Sequence, residues 1–479
     1  MSEQQLEMNL NPVSGNQFRD ILGSGSFVTL IETTVPPDEM DRAAGEQKLL
    51  ALEKTVLEAS GLNTAIAIID SGSSRNWSAV EYASLLPENS RDKHLVYLSG
   101  AGMDQKAVGE LLQMARNAGL RNIVPVTGTV PEKYRSVKEC RKIPFTESLH
   151  ILQELERSAG FFFAGTTITP YQYTPYSLLG TYYKLLKKLS CNAEFIVTQL
   201  GWDMLKLQSL SWYLTGQELF YPKIARLALL SPEDVEQIIS GNQPGIKISP
   251  EFRKMLTWEL KYSRDSFEAA QYRRLELQAA GCKLLGYSGI QIYGADSPAK
   301  AELVLGRIRK ALNEFASFEE WLEEYNSFMA SAEIPPYNYD FNFFDRILHR
   351  DYPSNQIPVM GNLPPPAVSF REKTAYCIKK FLFPHAGKQR PESGKLLKTI
   401  LAGCRGCGSC RLAERNFICV ENCPMHLANG PCGAITMEGK CPYSKQECIH
   451  HKILRIAHWK NALPEQGASI LPAGTQKNT

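Results

Sequence analysis

Eight short apolar runs, each followed by a stretch with helical spacing, limit what this chain can fold into more than any other feature. They are Phe27–Ile31, Thr64–Ile69, His94–Leu98, Asn122–Val126, Phe161–Ala164, Phe195–Thr198, Ile224–Leu230 and Gly289–Tyr293. Between them lie amphipathic segments such as Gln105–Asn117, Leu178–Ser190 and Phe267–Ala280. Ser231-Pro232-Glu233 has the form of a helix start, a capping serine with proline at the first helical position. Strands alternating with helices imply a parallel sheet, and eight of them imply a (β/α)8 TIM barrel, with an open doubly wound sheet as the alternative. A barrel places its chemistry where the strands end, so the residues just after each run carry the functional information.

The 479 residues, 43% hydrophobic, give ample chain for more than one domain. The barrel is expected over residues 17–330, a linker over 331–369 and a small cysteine-rich metal-binding domain over 370–460. The linker opens with Pro335-Pro336-Tyr337-Asn338-Tyr339 and contains Pro358 and Pro364-Pro365-Pro366. Its aromatics Tyr337, Tyr339, Phe341, Phe343 and Phe344 are expected to pack it on the barrel. The ends, before Gln17 and after Ala462, read as disordered.

Eight of the twelve cysteines lie between Cys404 and Cys448: Cys404, Cys407, Cys410, Cys419, Cys423, Cys432, Cys441 and Cys448. Such a cluster makes disulfides, zinc sites or iron–sulfur clusters. The start, MSEQQLEMNL, lacks a basic and apolar leader, which points to the reducing cytoplasm and away from disulfides. No run approaches the roughly 18 apolar residues of a membrane span. Three cysteines at three-residue intervals, and a proline after Cys423, resemble the start of a ferredoxin run and favour [4Fe–4S]. Zinc is the alternative, with His426, His450 and His451 near enough in sequence to complete a site. From Arg371 to Lys460 there are 16 Lys+Arg and 6 Asp+Glu, a balance of +10 in a chain of +3 overall. Cations of this kind would offset thiolate-ligated metal. No nucleic-acid-binding aromatic signature accompanies them, so no nucleic-acid partner is expected.

At the strand ends, Glu32 precedes Thr33-Thr34-Val35-Pro36-Pro37, Thr127-Gly128-Thr129 follows the fourth run, and Gln199 follows the sixth. Glu32 is either a general acid or base or a carboxylate paired with a lysine at the mouth. Gln199 suits a heterocyclic ligand through an amide that both donates and accepts, or else it caps a strand. Gly100-Ala101-Gly102 is an incomplete dinucleotide-binding turn, because Gln105 stands where the third glycine belongs.

Taken together, Cys404-Arg405-Gly406-Cys407-Gly408-Ser409-Cys410, Cys423-Pro424 and Asn429-Gly430-Pro431-Cys432-Gly433 resemble the cysteine-rich C-terminal domain associated with some methylenetetrahydrofolate reductases. The barrel is similar to the catalytic domain of that family through Glu32 and Pro36-Pro37, Gly119–Gly128, Cys191–Gln199 and Gly286–Tyr293. The resemblance implies a flavin (FAD or FMN) lying across the barrel mouth and passing a hydride to 5,10-methylenetetrahydrofolate. It implies Glu32 in opening the folate ring, Gln199 in contact with the folate, and Lys188, Thr129 and Tyr97 near the flavin. It also implies that a redox partner protein or subunit feeds electrons through the cysteine domain. Thr129 stands where the family has aspartate, and Tyr97 where it has histidine. Glu32 has three residues before Pro36 where the family has two, a slip that turns the side chain away unless a bulge restores it. Two other readings are a flavin-less relative that binds a folate or C1 carrier for methyl transfer, and a non-catalytic electron-transfer subunit.

Overall fold

The computed structural model describes residues 15–70, 77–130, 136–158, 160–241, 243, 245–330, 341–344, 347–352, 363–383, 395–408 and 410–472. Eight parallel strands close in sequential order into a barrel: β1 (Val28–Thr34), β2 (Asn63–Ile69), β3 (Leu95–Ser99), β4 (Asn122–Val126), β5 (Phe163–Ile168), β6 (Phe195–Thr198), β7 (Lys223–Ala228) and β8 (Gly289–Tyr293). All eight expected runs are therefore strands. The fifth is displaced toward the C-terminus: the Phe161 N–H is held in a turn by the Ser158 carbonyl at 3.3 Å, and the strand begins at Phe163, whose N–H donates to the Arg121 carbonyl. β1 runs on through Glu32-Thr33-Thr34, paired residue for residue with β2 from Val28↔Asn63 to Thr34↔Ile69. Glu32 thus lies in a strand rather than after it, and the ladder has no bulge.

Strand side chains alternate between the lumen and the outer helices. Val28 and Leu30 belong to the lumenal cluster, with Leu95, Val124, Phe163, Phe195, Val197 and Ile224. The helix Gln17–Gly23 closes the bottom, its Phe18 ring set edge-on against Phe163 and Phe195 at 6.2 and 5.6 Å. The outward residues, Ile31, Ile66, Val96, Ile123 and Ile196 among them, pack against the helical ring. Ser231 caps its helix through a capping box with Asp234, as its sequence foretold. Gly100 has a packing reason rather than a nucleotide-binding one: a Cβ there would fall 1.9 Å from the Thr146 carbonyl oxygen.

The described part of the linker packs on the barrel. Phe343 is fully buried beside Tyr182, and Phe344 meets Trp212 edge-on at 5.6 Å. Lys206 Nζ donates to Asn342 Oδ1 at 2.7 Å, and the His349 N–H donates to Gln208 Oε1 at 2.6 Å. Tyr337 and Tyr339, like the N-terminal stretch before Gly15, lie outside the described residues. The chain after Ala462 departs from expectation: Leu463–Ala468 is helical, with Leu463, Gln466 and Leu471 buried. It is held because Leu471 and Asn429 exchange backbone–amide hydrogen bonds of 2.7 and 2.9 Å. No helix among the described residues is long and apolar enough to cross a membrane.

Truncating Phe343 to alanine removes a filled core position and should cost about 3–5 kcal/mol in urea unfolding. The same variant should release the C-terminal domain faster under limited proteolysis than the wild type does. Equal cleavage rates would show that the linker anchor is not what fixes the domain.

Candidate functional site

Lumenal parity decides what stands at the top of the barrel. Glu32 follows Val28 and Leu30 on β1, Arg226 follows Ile224 on β7, Tyr97 follows Leu95 on β3, and Gln291 sits on β8. These four and Gln199 form one hydrogen-bonded floor. Arg226 Nε and Nη2 donate to the two Glu32 oxygens at 2.6 and 2.5 Å. Gln291 Nε2 donates to Glu32 Oε2 at 2.8 Å, and the Tyr97 hydroxyl donates to Gln291 Oε1 at 2.7 Å. Arg226 Nη1 donates to Gln199 Oε1 at 2.7 Å, and that oxygen also accepts from the Leu200 N–H. Burial alone would lower the Arg226 pKa, but the Glu32 charge and hydrogen bonds outweigh it and raise it.

Above the floor opens a cavity of about 860 Å³. Tyr97, Thr129, Lys188, Gln199, Arg226 and Cys432 all line it. Glu32 does not: 2% exposed, it lies beneath Arg226. The Gln199 oxygen is already engaged, so its NH₂ is the group left to face a ligand. The floor therefore offers donors and cationic character, which suits a planar heterocycle edged with acceptors. Arg226 was not singled out from sequence, although an arginine inside the run Lys-Ile-Ala-Arg-Leu-Ala demands a buried partner. That partner is the carboxylate for which a lysine was weighed.

The cysteine-rich domain supplies the cavity's other wall. It rests on the helix Pro175–Leu189, whose Lys184, Lys187 and Lys188 are all buried. Lys184 Nζ donates to the carbonyls of Gly430 and Pro431 at 3.3 and 3.1 Å, and Lys187 Nζ donates to that of Asn429 at 3.4 Å. Lys188 Nζ turns instead to the Thr167 carbonyl of β5 at 2.7 Å. Gly430, at φ +147°, has no room for a side chain: a Cβ would meet Lys184 Cβ at 2.9 Å. Gln172, bonded by Lys247 Nζ, in turn donates to the Gly433 carbonyl at 3.3 Å.

The eight clustered cysteines divide by position. Cys419 interacts electrostatically with Cys404 and Cys407, and Cys410 packs against its apolar surroundings. Cys423, Cys432, Cys441 and Cys448 interact with one another, and Cys140 of the barrel lies beside Cys432 and Cys441. Burial pushes the thiols up, to about 11 for Cys419 and about 12 for Cys448. Opposing this, backbone N–H groups aim at the sulfurs: Glu421 at Cys419, Met425 and Leu427 at Cys423, Ala434 at Cys432, and His450 and His451 at Cys448. Such donors steady metal-bound thiolates, so the donor chemistry fits a metal centre. Among the described residues no three His, Cys, Asp or Glu side chains already stand in a metal-holding arrangement. His426 and His451 are bonded to Glu421 and Glu447 at 2.9 and 2.8 Å, and His450 is buried with its pKa pushed well down by burial.

Replacing Arg226 by methionine leaves the Glu32 carboxylate buried without its ion partner and should cost about 3–5 kcal/mol in urea unfolding. The double variant Arg226→Met with Glu32→Gln should recover part of that loss, and additive losses would show that the pair is not coupled. A second expectation concerns pH. Burial, with Lys184 adding to it, pushes Lys188 down to about 7. The unfolded chain keeps that proton up to about pH 10.4, so it binds more protons than the folded chain across the interval, and stability rises with pH there. The wild type should therefore gain on Lys188→Met by up to about 1.4 kcal/mol per pH unit between about pH 7.5 and 10. A difference that stays flat with pH would contradict the buried amine.

Residues 384–473 match the family described as "Methylene-tetrahydrofolate reductase C terminal". No curated protein matches the chain by sequence. Among solved structures, an uncharacterized protein from Clostridium thermocellum that binds two copies of 5-methyl-5,6,7,8-tetrahydrofolic acid is similar at 12% identity and a TM-score of 0.44. The match covers 61% of this chain and 98% of that one. The 7,8-dihydropteroate synthase from Vibrio fischeri ES114 is similar at 11% identity and a TM-score of 0.34, covering 60% and 92%. Likenesses this distant say nothing of what this barrel binds. The C-terminal part of the chain is thus similar, over residues 384–473, to the methylenetetrahydrofolate reductase C-terminal domain, and it follows a (β/α)8 barrel.

Proposed function

We propose that this chain is a folate-dependent oxidoreductase of one-carbon metabolism, in which the barrel binds a reduced folate and the cysteine domain brings electrons to it. The family match of the C-terminal domain supports the folate class. The observation that carries the reading is the shared cavity, with Gln199 and Arg226 on its floor and Cys432 in its wall. Its volume of about 860 Å³ lies in the upper part of the range for cofactor sites.

Gln199 and Arg226 would hold an acceptor edge of the pterin or flavin ring, while Glu32, itself held by Gln291, fixes the guanidinium from below. Thr129 and Lys188 would flank the flavin, and the eight clustered cysteines would hold [4Fe–4S] clusters, with zinc as the alternative ion. When bound, a flavin would supply a hydride to the folate methylene, and iron–sulfur centres would supply it with electrons. In this reading Glu32 is a positioning residue, because its two oxygens already accept three N–H groups. The domain loop over the mouth would exclude water from the bound ring.

A second reading has a specific observation behind it. Glu32 locked to Arg226, and Thr129 in place of a carboxylate, favour a barrel that binds a folate or C1 carrier without flavin. Absorbance and metal analysis of protein purified without oxygen separate the two. Flavin bands with iron and acid-labile sulfide, together with viologen-linked oxidation of 5-methyltetrahydrofolate, are the expected result. Metal without flavin, in protein that still binds 5-methyltetrahydrofolate, would replace the first reading by the second.

A further inference from the structure

Two helices beside the first cysteine group turn their apolar sides to solvent. The helix Phe370–Leu382 has no buried residue, and Phe370 and Phe381 are 82% and 83% exposed, with Ile378 between them on the same face. Its other side is already engaged: Tyr376 meets Phe417 and Trp459 edge-on at 5.5 and 5.7 Å, and Glu372 accepts from Arg455. The helix Lys395–Ala402 exposes Leu396 and Ile400 at 75% and 70%, with Leu397 beside them. Both helices lead into one small core, in which Phe383 and Ala402 pack with Phe417 and Cys419, and Cys410 lies against it. The two apolar faces therefore flank the thiols of Cys404, Cys407, Cys410 and Cys419.

Apolar surface gathered in this way and edged with charge marks an interaction site. The edge is basic: Arg371 and Lys380 are exposed on the first helix, in a domain whose balance is +10 against −7 for the rest of the chain. A two-fold pair of copies would set this basic face against itself, which like charges oppose. A separate protein with an apolar patch ringed by carboxylates fits both features.

We propose that this face docks a small acidic electron carrier, which passes electrons to metal held by Cys404, Cys407, Cys410 and Cys419. This rests on the metal reading given above. Each transfer is one electron: the carrier's cluster is oxidised, the domain's centre is reduced, and no bond or proton changes hands. Two transfers, with one proton taken from solvent at the final acceptor, supply one hydride equivalent.

The test titrates a small acidic [4Fe–4S] ferredoxin into the full chain purified without oxygen, by calorimetry at low and raised salt. Binding should weaken as salt rises. The exposed pair Phe370→Ser with Phe381→Ser should weaken it by about tenfold or more. Arg371→Glu with Lys380→Glu should flatten its salt dependence. Iron content and reduction by dithionite should stay at wild-type levels in both variants. Variants that keep their iron and bind ferredoxin like the wild type overturn the docking face. A concentration-dependent dimer abolished by the same substitutions also overturns it, in favour of a second copy. Loss or absence of iron in the wild type would instead count against the metal reading.

Discussion

Two lysines on one helix, Lys184 and Lys187, buried against the loop that carries Asn429, Gly430 and Pro431, tie the two halves of this protein together. A buried ammonium is costly unless carbonyls replace its water. Lys184 and Lys187 find those carbonyls in Asn429, Gly430 and Pro431, and Lys184 also has the barrel's Glu147 carboxylate at 3.6 Å, so helix and cysteine domain share one buried polar contact. Gly430 makes the approach close enough, and the next residue but one, Cys432, is thereby set in the wall of the barrel's cavity. The chemistry of the barrel mouth and that of the thiols share a chamber because of this contact.

Within the chamber the Glu32–Arg226 pair sets the character of the floor. Its carboxylate is spent on a guanidinium, and what reaches the ligand is Arg226 with the amide of Gln199. A buried pair of this kind contributes little net stability but holds its members in one orientation. The floor is consequently a preset array of donors.

Much of the fold was legible because parallel barrel strands are apolar on both faces and stand out as runs. Asn122–Val126, Phe195–Thr198 and Gly289–Tyr293 match the observed strands end to end. Counting from the proline pair suggested that Glu32 could face away, but its direction is set by the ladder with β2, in which Val28 and Leu30 already point inward. Arg226 was overlooked because a single charged residue in a strand carries no motif, though its parity with Ile224 was readable. The burial of Lys184, Lys187 and Lys188 could not be read from a helix whose spacing alone suits a solvated basic face. The terminal helix Leu463–Ala468 escaped notice because it is held by Arg415, through Gln466, and the following chain by Asn429, both distant in sequence.

The shared chamber is tested most directly by electron paramagnetic resonance on the reduced, anaerobically purified protein, before and after saturation with 5-methyltetrahydrofolate. If the barrel's cavity takes the folate and Cys432 and its partners hold a cluster in its wall, binding should shift the signal of one centre and leave that of the centre near Cys404 unchanged. Spectra that stay identical while calorimetry shows the folate bound would place the two chemistries apart and contradict the account.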